Sequence, residues 1–109
     1  MYRYVWKITL NNPKEVSELV SHWRAGSTLL QTYPGAMGTH FHEASGEPGC
    51  FFAVAEWESA QAREKAMQDV EENTSETAKA WNLLPKNESF GEVVSFAGSE
   101  LGVIFPKQS

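Results

Sequence analysis

The sequence has little cysteine, little basic charge and no long apolar run, and each shortage excludes a class of protein. Its 109 residues include one cysteine, Cys50, so neither an intramolecular disulfide nor a multi-cysteine zinc site can form. Nine basic against fourteen acidic residues give a net charge of −5 and no basic patch for nucleic acid. No apolar stretch approaches the roughly 20 residues that span a bilayer. We therefore expect a soluble, cytoplasmic protein without nucleic-acid or membrane partners.

Two common catalytic motifs are also missing. The sequence contains neither a glycine-rich phosphate loop nor a serine nucleophile elbow, and Cys50 has no base near it in sequence. Aromatic residues, in contrast, make up 12% of the chain and include four Trp and six Phe. Large rings fill cores, and they also build dimer interfaces and flat apolar pockets. The length suits a single domain, residues 1–109.

Hydrophobic periodicity predicts alternating strands and helices along the chain. The predicted order is a strand Tyr2–Leu10, a helix from Asn12 to Pro34, strands Ala36–Ala44 and Cys50–Trp57, a helix Ser59–Asn73, a helical piece Thr74–Leu84 and a strand Phe90–Ala97. Asn12 and Ser59 are good helix N-caps. This β-α-β-β-α-β order predicts a ferredoxin-like α+β fold with the helices on one face of an antiparallel sheet.

The other face of that sheet also carries aromatic and branched side chains, and an apolar sheet face needs a cover. A second copy of the chain is the simplest cover, so we predict a homodimer through the sheet face, a dimeric α+β barrel. The C-terminal segment 99–109 is a candidate arm that contacts the partner. Its apolar part, Ser99–Phe105, is a candidate fifth strand.

Two histidines in the second strand are the best candidates for acid–base chemistry. Alternation from Ala36 places Ala36, Gly38, His40 and His42 on one face of the strand. A histidine near neutral pH can draw a proton from a phenol or carbon acid, and the anion can then react with dioxygen. Two alternatives stay open: hydrogen-bonded histidines in the sheet or interface, and a two-histidine metal site completed by Glu43 or Glu56.

Aromatic residues are the candidates for substrate binding. Several rings that meet between the sheet and the helices would suit a flat ligand, and the candidates are Trp23, Tyr33, Phe51, Trp57 and Trp81. The Tyr33 hydroxyl is a candidate donor to a substrate oxygen. The alternative is that these rings are core residues. On the second helix we expect Ala62, Ala66, Met67 and Val70 to face inward, and Arg63 to lie on the solvated outer face with Glu64, Asp69, Glu71 and Glu72.

Two short motifs resemble those of the antibiotic biosynthesis monooxygenase domain, within the dimeric α+β barrel superfamily. The first is Pro34-Gly35 at the helix end, followed by Gly38-Thr39 in the next strand. The second is Ala55-Glu56-Trp57-Glu58-Ser59 at the strand-to-helix junction. The resemblance covers nearly the whole chain in element order, and its specific residues lie between about Pro34 and Arg63. These are structural motifs, so they imply a fold more strongly than an activity.

The resemblance implies two kinds of activity, of which one lacks its residues here. Some members oxidise electron-rich phenols or quinols with dioxygen and need neither metal nor flavin. Haem-degrading members use an Asn, a Trp and a later His at positions that correspond to Trp6, Ala66 and Glu76, and no histidine follows His42. We therefore expect no haem and no other cofactor.

Three functions follow from these expectations. The leading one is a cofactor-independent monooxygenase that acts on an aromatic, phenolic or quinol-like small molecule. The alternatives are a non-catalytic homodimeric domain that binds or senses a small aromatic ligand, and a structural homodimer without a ligand.

Overall fold

The computed structural model describes residues 1–107, which form one four-stranded antiparallel sheet covered on one side by helices. The strands are β1 (Tyr2–Thr9), β2 (Ala36–Glu43), β3 (Cys50–Trp57) and β4 (Glu92–Ser99); the helices are α1 (Val16–Leu30), α2 (Ala60–Glu72) and α3 (Glu76–Leu83). Three 3₁₀ turns lie at Pro13–Glu15, Leu84–Lys86 and Glu88–Phe90. The strand order β2-β3-β1-β4 confirms the predicted ferredoxin-like α+β fold.

Of the two predicted caps, Ser59 begins α2, whereas Asn12 begins the 3₁₀ turn Pro13–Glu15, and α1 starts after that turn at Val16 without a side-chain cap. The Asn12 side chain accepts a hydrogen bond from the backbone N–H of Lys14 at 3.1 Å, and Ser59 Oγ accepts one from the N–H of Ala62 at 3.1 Å. Caps of this kind stabilise a helix by about 1 kcal/mol each. The first α-helix, however, ends at Leu30 rather than at Pro34, because the chain enters a turn before the proline.

The hydrophobic core lies between the sheet and the helices. The even-numbered residues of β1 point into it, as predicted, and the largest fully buried side chains are Ile8, Leu19, Trp57, Val70 and Phe90. Trp57 exposes 1% of its surface, so its truncation to Ala would cost about 3–5 kcal/mol of unfolding free energy. The predicted inward face of α2 is also confirmed, with Ala66 and Val70 buried.

A β-bulge changes the predicted alternation of β2. Ala36 pairs with Trp57 and Thr39 pairs with Ala55, so three steps on β2 oppose two steps on β3. The extra residue lies between Ala36 and Thr39. This stretch contains Gly38, whose φ of 115° lies in the region that favours glycine. The prediction that Ala36 and His40 share a face is therefore wrong. Ala36 packs into the core, whereas His40 points to the other side of the sheet.

The turn before β2 is held against the start of α2. Gly35 has a φ of 89°, and a Cβ at this position would lie 2.6 Å from the Cβ of Ala62. The carbonyl of Gly35 accepts a hydrogen bond from the N–H of Glu58 at 2.8 Å. Both the conformation and the close approach require glycine.

The C-terminal segment does not form the predicted fifth strand within residues 1–107. The last strand runs two residues later than expected, from Glu92 to Ser99, because Phe90 belongs to a buried 3₁₀ turn. Residues 101–107 have no regular structure, and Leu101, Ile104 and Phe105 are largely exposed. The end of the predicted arm, residues 108–109, lies outside the described residues. Among the helices of residues 1–107, none has the length and apolarity to cross a membrane.

Candidate functional site

A cavity of about 260 Å³ lies between the sheet and the helices. Its size is close to the lower end of the roughly 300–1,000 Å³ typical of small-molecule sites. Five aromatic side chains form much of its wall: Tyr4, Trp6, Trp23, Trp57 and Trp81. The rings of Trp6 and Trp81 lie 5.2 Å apart at an angle of 37°. Walls of this composition favour a flat, apolar ligand of modest size.

A glycine in α1, Gly26, lets α3 approach closely enough to form one wall of the cavity. A Cβ on Gly26 would lie 2.0 Å from Cε3 of Trp81, so the indole occupies the space that any other residue would fill. Asn82 Nδ2 donates to the carbonyl of Val70 at 3.0 Å and ties α3 to the end of α2. Gly26, which looks from sequence like a weak point in a helix, therefore positions a cavity wall.

Polar groups are few along the cavity, and only one of them is charged. The uncharged polar side chains besides Tyr4 are Ser27, Gln31, Thr39, Asn82 and Ser95. Arg63 is the single ionised residue of the lining, and its guanidinium carbon lies 3.4 Å from the centroid of the Tyr4 ring. Among the described residues, the lining has no histidine, carboxylate, lysine or cysteine. The cavity therefore holds a positive charge but no ordinary general base.

One indole nitrogen in this region lacks a hydrogen-bond acceptor. Trp57 lines the cavity, and its Nε1 is the buried side-chain polar atom that has no partner within residues 1–107. An unsatisfied buried donor typically costs about 1–3 kcal/mol. The N–H is thus a donor that an acceptor on a bound molecule, brought within reach, would satisfy.

Three of the five predicted aromatic binding residues meet at the cavity. Trp23, Trp57 and Trp81 line it. Phe51 is buried in the core, 5.8 Å from Phe41, and does not line the cavity. Tyr33 is partly buried against the core cluster that contains Trp57, and it is also absent from the lining. Neither of these two side chains reaches the space where a ligand would lie.

His40 and His42 lie on the opposite side of the sheet. His40 pairs with Val54 and His42 with Phe52, which point away from the helices, and both histidines are exposed. Their rings lie 6.3 Å apart, and His42 stacks on Phe52 at 5.0 Å. Within residues 1–107, no three His, Cys, Asp or Glu side chains come together to hold a metal ion, so the histidine pair lacks a third ligand.

The sheet face that carries the histidines, called the open face below, also carries exposed apolar side chains. Its apolar side chains are Val5, Phe52, Val54, Val94 and Phe96. Phe96 exposes 59% of its surface and Val94 44%. Lys7 lies among them, and electrostatic interaction with its neighbours Cys50 and then Glu47 raises the pKa of its ammonium group.

Arg63 is the main site residue that sequence reasoning missed. We expected it on the solvated face of α2, and that prediction is wrong because the side chain lines the cavity. The signal was present in the spacing: Arg63, Met67 and Val70 follow one another at helical intervals along the inward face. Charge alone suggested the outer face. Tyr4 and Trp6 were correctly placed on the apolar face of β1, without a binding role.

Comparison with known proteins finds similarity at the level of structure. No family model matches the sequence, and no curated protein matches it. The monooxygenase from the gene ActVA-Orf6 of Streptomyces coelicolor, solved with the ligand nanaomycin D, is 20% identical with a TM-score of 0.76 over 97% of this chain and 92% of that chain. The cofactor-independent oxygenase SnoaB from Streptomyces nogalater, solved as a mutant, is 12% identical with a TM-score of 0.74 over 94% and 95%.

A further structure, of an antibiotic biosynthesis monooxygenase, has a TM-score of 0.69 at 12% identity and covers 94% of this chain and all of its own. The chain has the antibiotic biosynthesis monooxygenase fold. This confirms the fold that the resemblance implied. At these identities the similarity shows the fold alone, so substrate and activity have to be argued from the residues of the cavity.

Proposed function

We propose that this chain is a cofactor-independent monooxygenase whose substrate is a small aromatic, phenolic or quinol-like molecule bound in the cavity beside the helices. The observation that carries the proposal is the cavity itself, which is lined by Trp and Tyr rings and lies within the fold of known monooxygenases. The compartment we propose is the cytoplasm, where the lone Cys50 needs no partner.

The chemistry needs only a substrate that gives up electrons readily. An activated methylene flanked by aromatic rings loses a proton, and the carbanion transfers electrons to dioxygen. One oxygen atom becomes the new carbonyl oxygen and the other leaves as water, so CH₂ and O₂ give C=O and H₂O. The protein would bind the rings, exclude bulk water and stabilise the anion.

The first proton transfer has no side-chain base in the described lining of the cavity. The substrate must therefore be acidic by its own structure, as an anthrone or a quinol is, or lose its proton to water. The role of His40 and His42 as general bases stays a prediction, and their position on the open face gives it no support.

Dioxygen consumption with anthrone tests the proposal. Ser95 is exposed on the edge strand and lines the cavity, so Ser95→Phe would obstruct the cavity with little cost to the fold. We expect wild type and the matched control Ser95→Thr to convert anthrone to anthraquinone, and Ser95→Phe to lose at least about tenfold in rate, one order being the smallest loss expected from a blocked site. A wild-type rate equal to the protein-free rate would refute the oxygenase.

The absence of a base among the lining residues also favours a second candidate, a domain that binds an aromatic ligand without turnover. Thermal denaturation across a set of aromatic compounds separates the two, because a ligand that binds only the folded state raises the Tm. A raised Tm that Ser95→Phe abolishes, together with no dioxygen consumption, would establish the binding function.

We also propose that two copies of the chain associate through the open face. The support is its exposed apolar side chains, which water disfavours, in a sheet whose other side is covered by helices. The apolar segment 101–107 extends beyond β4 and is free to contact the partner. In such a dimer the histidines of β2 would lie at or beside the interface.

A further inference from the structure

We propose that the ligand of the cavity carries a carboxylate, and that Arg63 binds it at the edge of the cavity while the aromatic walls hold the ring. This inference rests on the proposed function for the ring-binding role of the cavity. It adds the chemical class of the ligand, an aromatic carboxylate, and assigns the residue that selects it.

The stacking of Arg63 fixes which of its atoms can bind a ligand. A separation of 3.4 Å between the guanidinium carbon and the centre of the Tyr4 ring is a van der Waals contact, which a flat, stacked guanidinium can reach. Stacking occupies one face of the group and leaves the N–H donors along its edge free. Those donors form a rigid fork that matches the two oxygens of a carboxylate.

The protein itself supplies no acceptor for this fork. Within residues 1–107 the Arg63 side chain makes neither a hydrogen bond nor an ion pair with another side chain. Arg3 shows the contrast, because its guanidinium is paired with Glu56 at 3.3 Å and Glu100 at 3.2 Å. A chain with fourteen acidic residues thus leaves the one cation of its cavity without a carboxylate.

The composition of the cavity lets the positive charge of Arg63 select an anionic ligand over a neutral one. The other polar side chains of the lining are neutral, so within the described lining an anionic group on the ligand meets one attractive charge and no carboxylate. Arg63 is only half-buried, and its donors remain hydrated without a ligand. A partly hydrated, carboxylate-binding arginine therefore contributes about tenfold in affinity, below the range of fully buried charge-assisted hydrogen bonds.

Isothermal titration calorimetry with matched ligands tests the inference. The probes are 2-naphthoate, its neutral isostere 2-naphthamide, and a polyfluorinated 2-naphthol whose phenol is ionised at the assay pH and which has no second oxygen. For wild type we expect 2-naphthoate to bind about tenfold more tightly than 2-naphthamide, since the two differ only in charge and in one oxygen. The fluorinated naphtholate should bind more weakly than 2-naphthoate and more tightly than the amide, because it carries the charge but its one oxygen cannot pair with both arms of the fork.

Three variants identify the residue responsible. Arg63→Gln should reduce the preference for 2-naphthoate to less than about threefold while the affinity for 2-naphthamide changes little, since the amide makes no ion pair. Arg63→Lys should retain part of the preference, because it keeps the charge and loses the fork. Arg24→Gln is the matched control: Arg24 is exposed on α1, outside the cavity lining, and its removal should leave the preference unchanged.

The outcomes separate this inference from the proposed function. Equal affinity for 2-naphthoate and 2-naphthamide, or a preference that survives in Arg63→Gln, would refute the inference that Arg63 binds a carboxylate. The cavity would remain a binding site for aromatic rings. Arg63-dependent binding of the fluorinated naphtholate that equals or exceeds the binding of 2-naphthoate would also overturn the carboxylate inference, in favour of a phenolate. If no probe bound, both the carboxylate inference and the proposed binding of aromatic ligands in the cavity would be overturned. An Arg63-dependent preference in a protein that consumes no dioxygen with anthrone would support the carboxylate and refute the oxygenase. The comparison of ligands on wild type stands even if a variant fails to fold.

Discussion

The two faces of the sheet differ in what they carry and in what covers them. The helix-side face carries the cavity, with Trp and Tyr rings and one unpaired arginine among the described residues. The open face carries both strand histidines and a set of exposed apolar residues. Sequence alone drew attention to the histidines because histidine is a common general base in enzymes. The position of the cavity favours the other face as the ligand site.

The difference shows that residue type and location have to be judged separately. A histidine is a good acid–base group only where a substrate can reach it. An arginine on an amphipathic helix is usually expected on the solvated face. Buried neighbours at helical spacing indicate instead that it lies on the inward face. We therefore propose ligand binding on the helix-side face and association between copies on the open face. The predictions below test that division.

The largest effect is expected from a charge on the open face. Phe96→Asp would place a carboxylate in the proposed interface, and a buried unpaired charge should weaken dimerisation about a hundredfold or more. Light scattering at micromolar concentration should give a dimer mass for wild type and for the control Lys65→Asp on the exposed side of α2, and a monomer mass for Phe96→Asp. A dimer mass for all three proteins would contradict the assignment of the open face.

A smaller but clear loss is expected from Gly26→Ala in α1. An added methyl in a helix interior usually stabilises, but here it would meet Trp81, so overpacking should win and lower the free energy of unfolding by about 1–3 kcal/mol. Urea denaturation measures the change, and Ser21→Ala on the exposed side of α1 is the control. Ligand binding should fall as well, because Trp81 would move. An increase in stability would show that the indole does not depend on the glycine.

The smallest effect is expected from the histidines. His40→Ala with His42→Ala removes two exposed side chains, so stability should change by less than about 0.5 kcal/mol for each. The affinity for 2-naphthoate and the rate of anthrone oxidation should stay within about twofold, since neither side chain lines the cavity. A tenfold loss of rate with an intact dimer would return the active site to the open face.

Sequence reasoning predicted most of the fold because the fold depends on local signals. The alternation of β1, the Ser59 cap and the Pro34-Gly35 turn each act within a few residues. The fifth strand failed because apolar composition alone cannot tell a strand from an exposed segment without a pairing partner. The ends of α1 and β4 moved by a few residues, as helix and strand ends often do.

The candidate site was harder to predict because it depends on long-range geometry. A bulge near Gly38 shifts the phase of β2; an isolated glycine in a strand can mark a bulge, but the resulting side-chain directions depend on the pairing with β3. The wall formed by Trp81 depends on an absent Cβ in a different helix. Arg63 became a site residue only once α2 was docked beside Tyr4. Three of the five predicted aromatic residues line the cavity: Trp23 and Trp81, which face inward on their helices, and Trp57 at the end of a strand.

A crystal structure with bound anthraquinone would test the central claim most directly, since this product-like compound does not react with dioxygen. We predict electron density for the ring system in the cavity, in contact with Trp23, Trp57 and Trp81. Density beside His40 and His42 on the open face, with the cavity empty, would contradict that placement of the ligand.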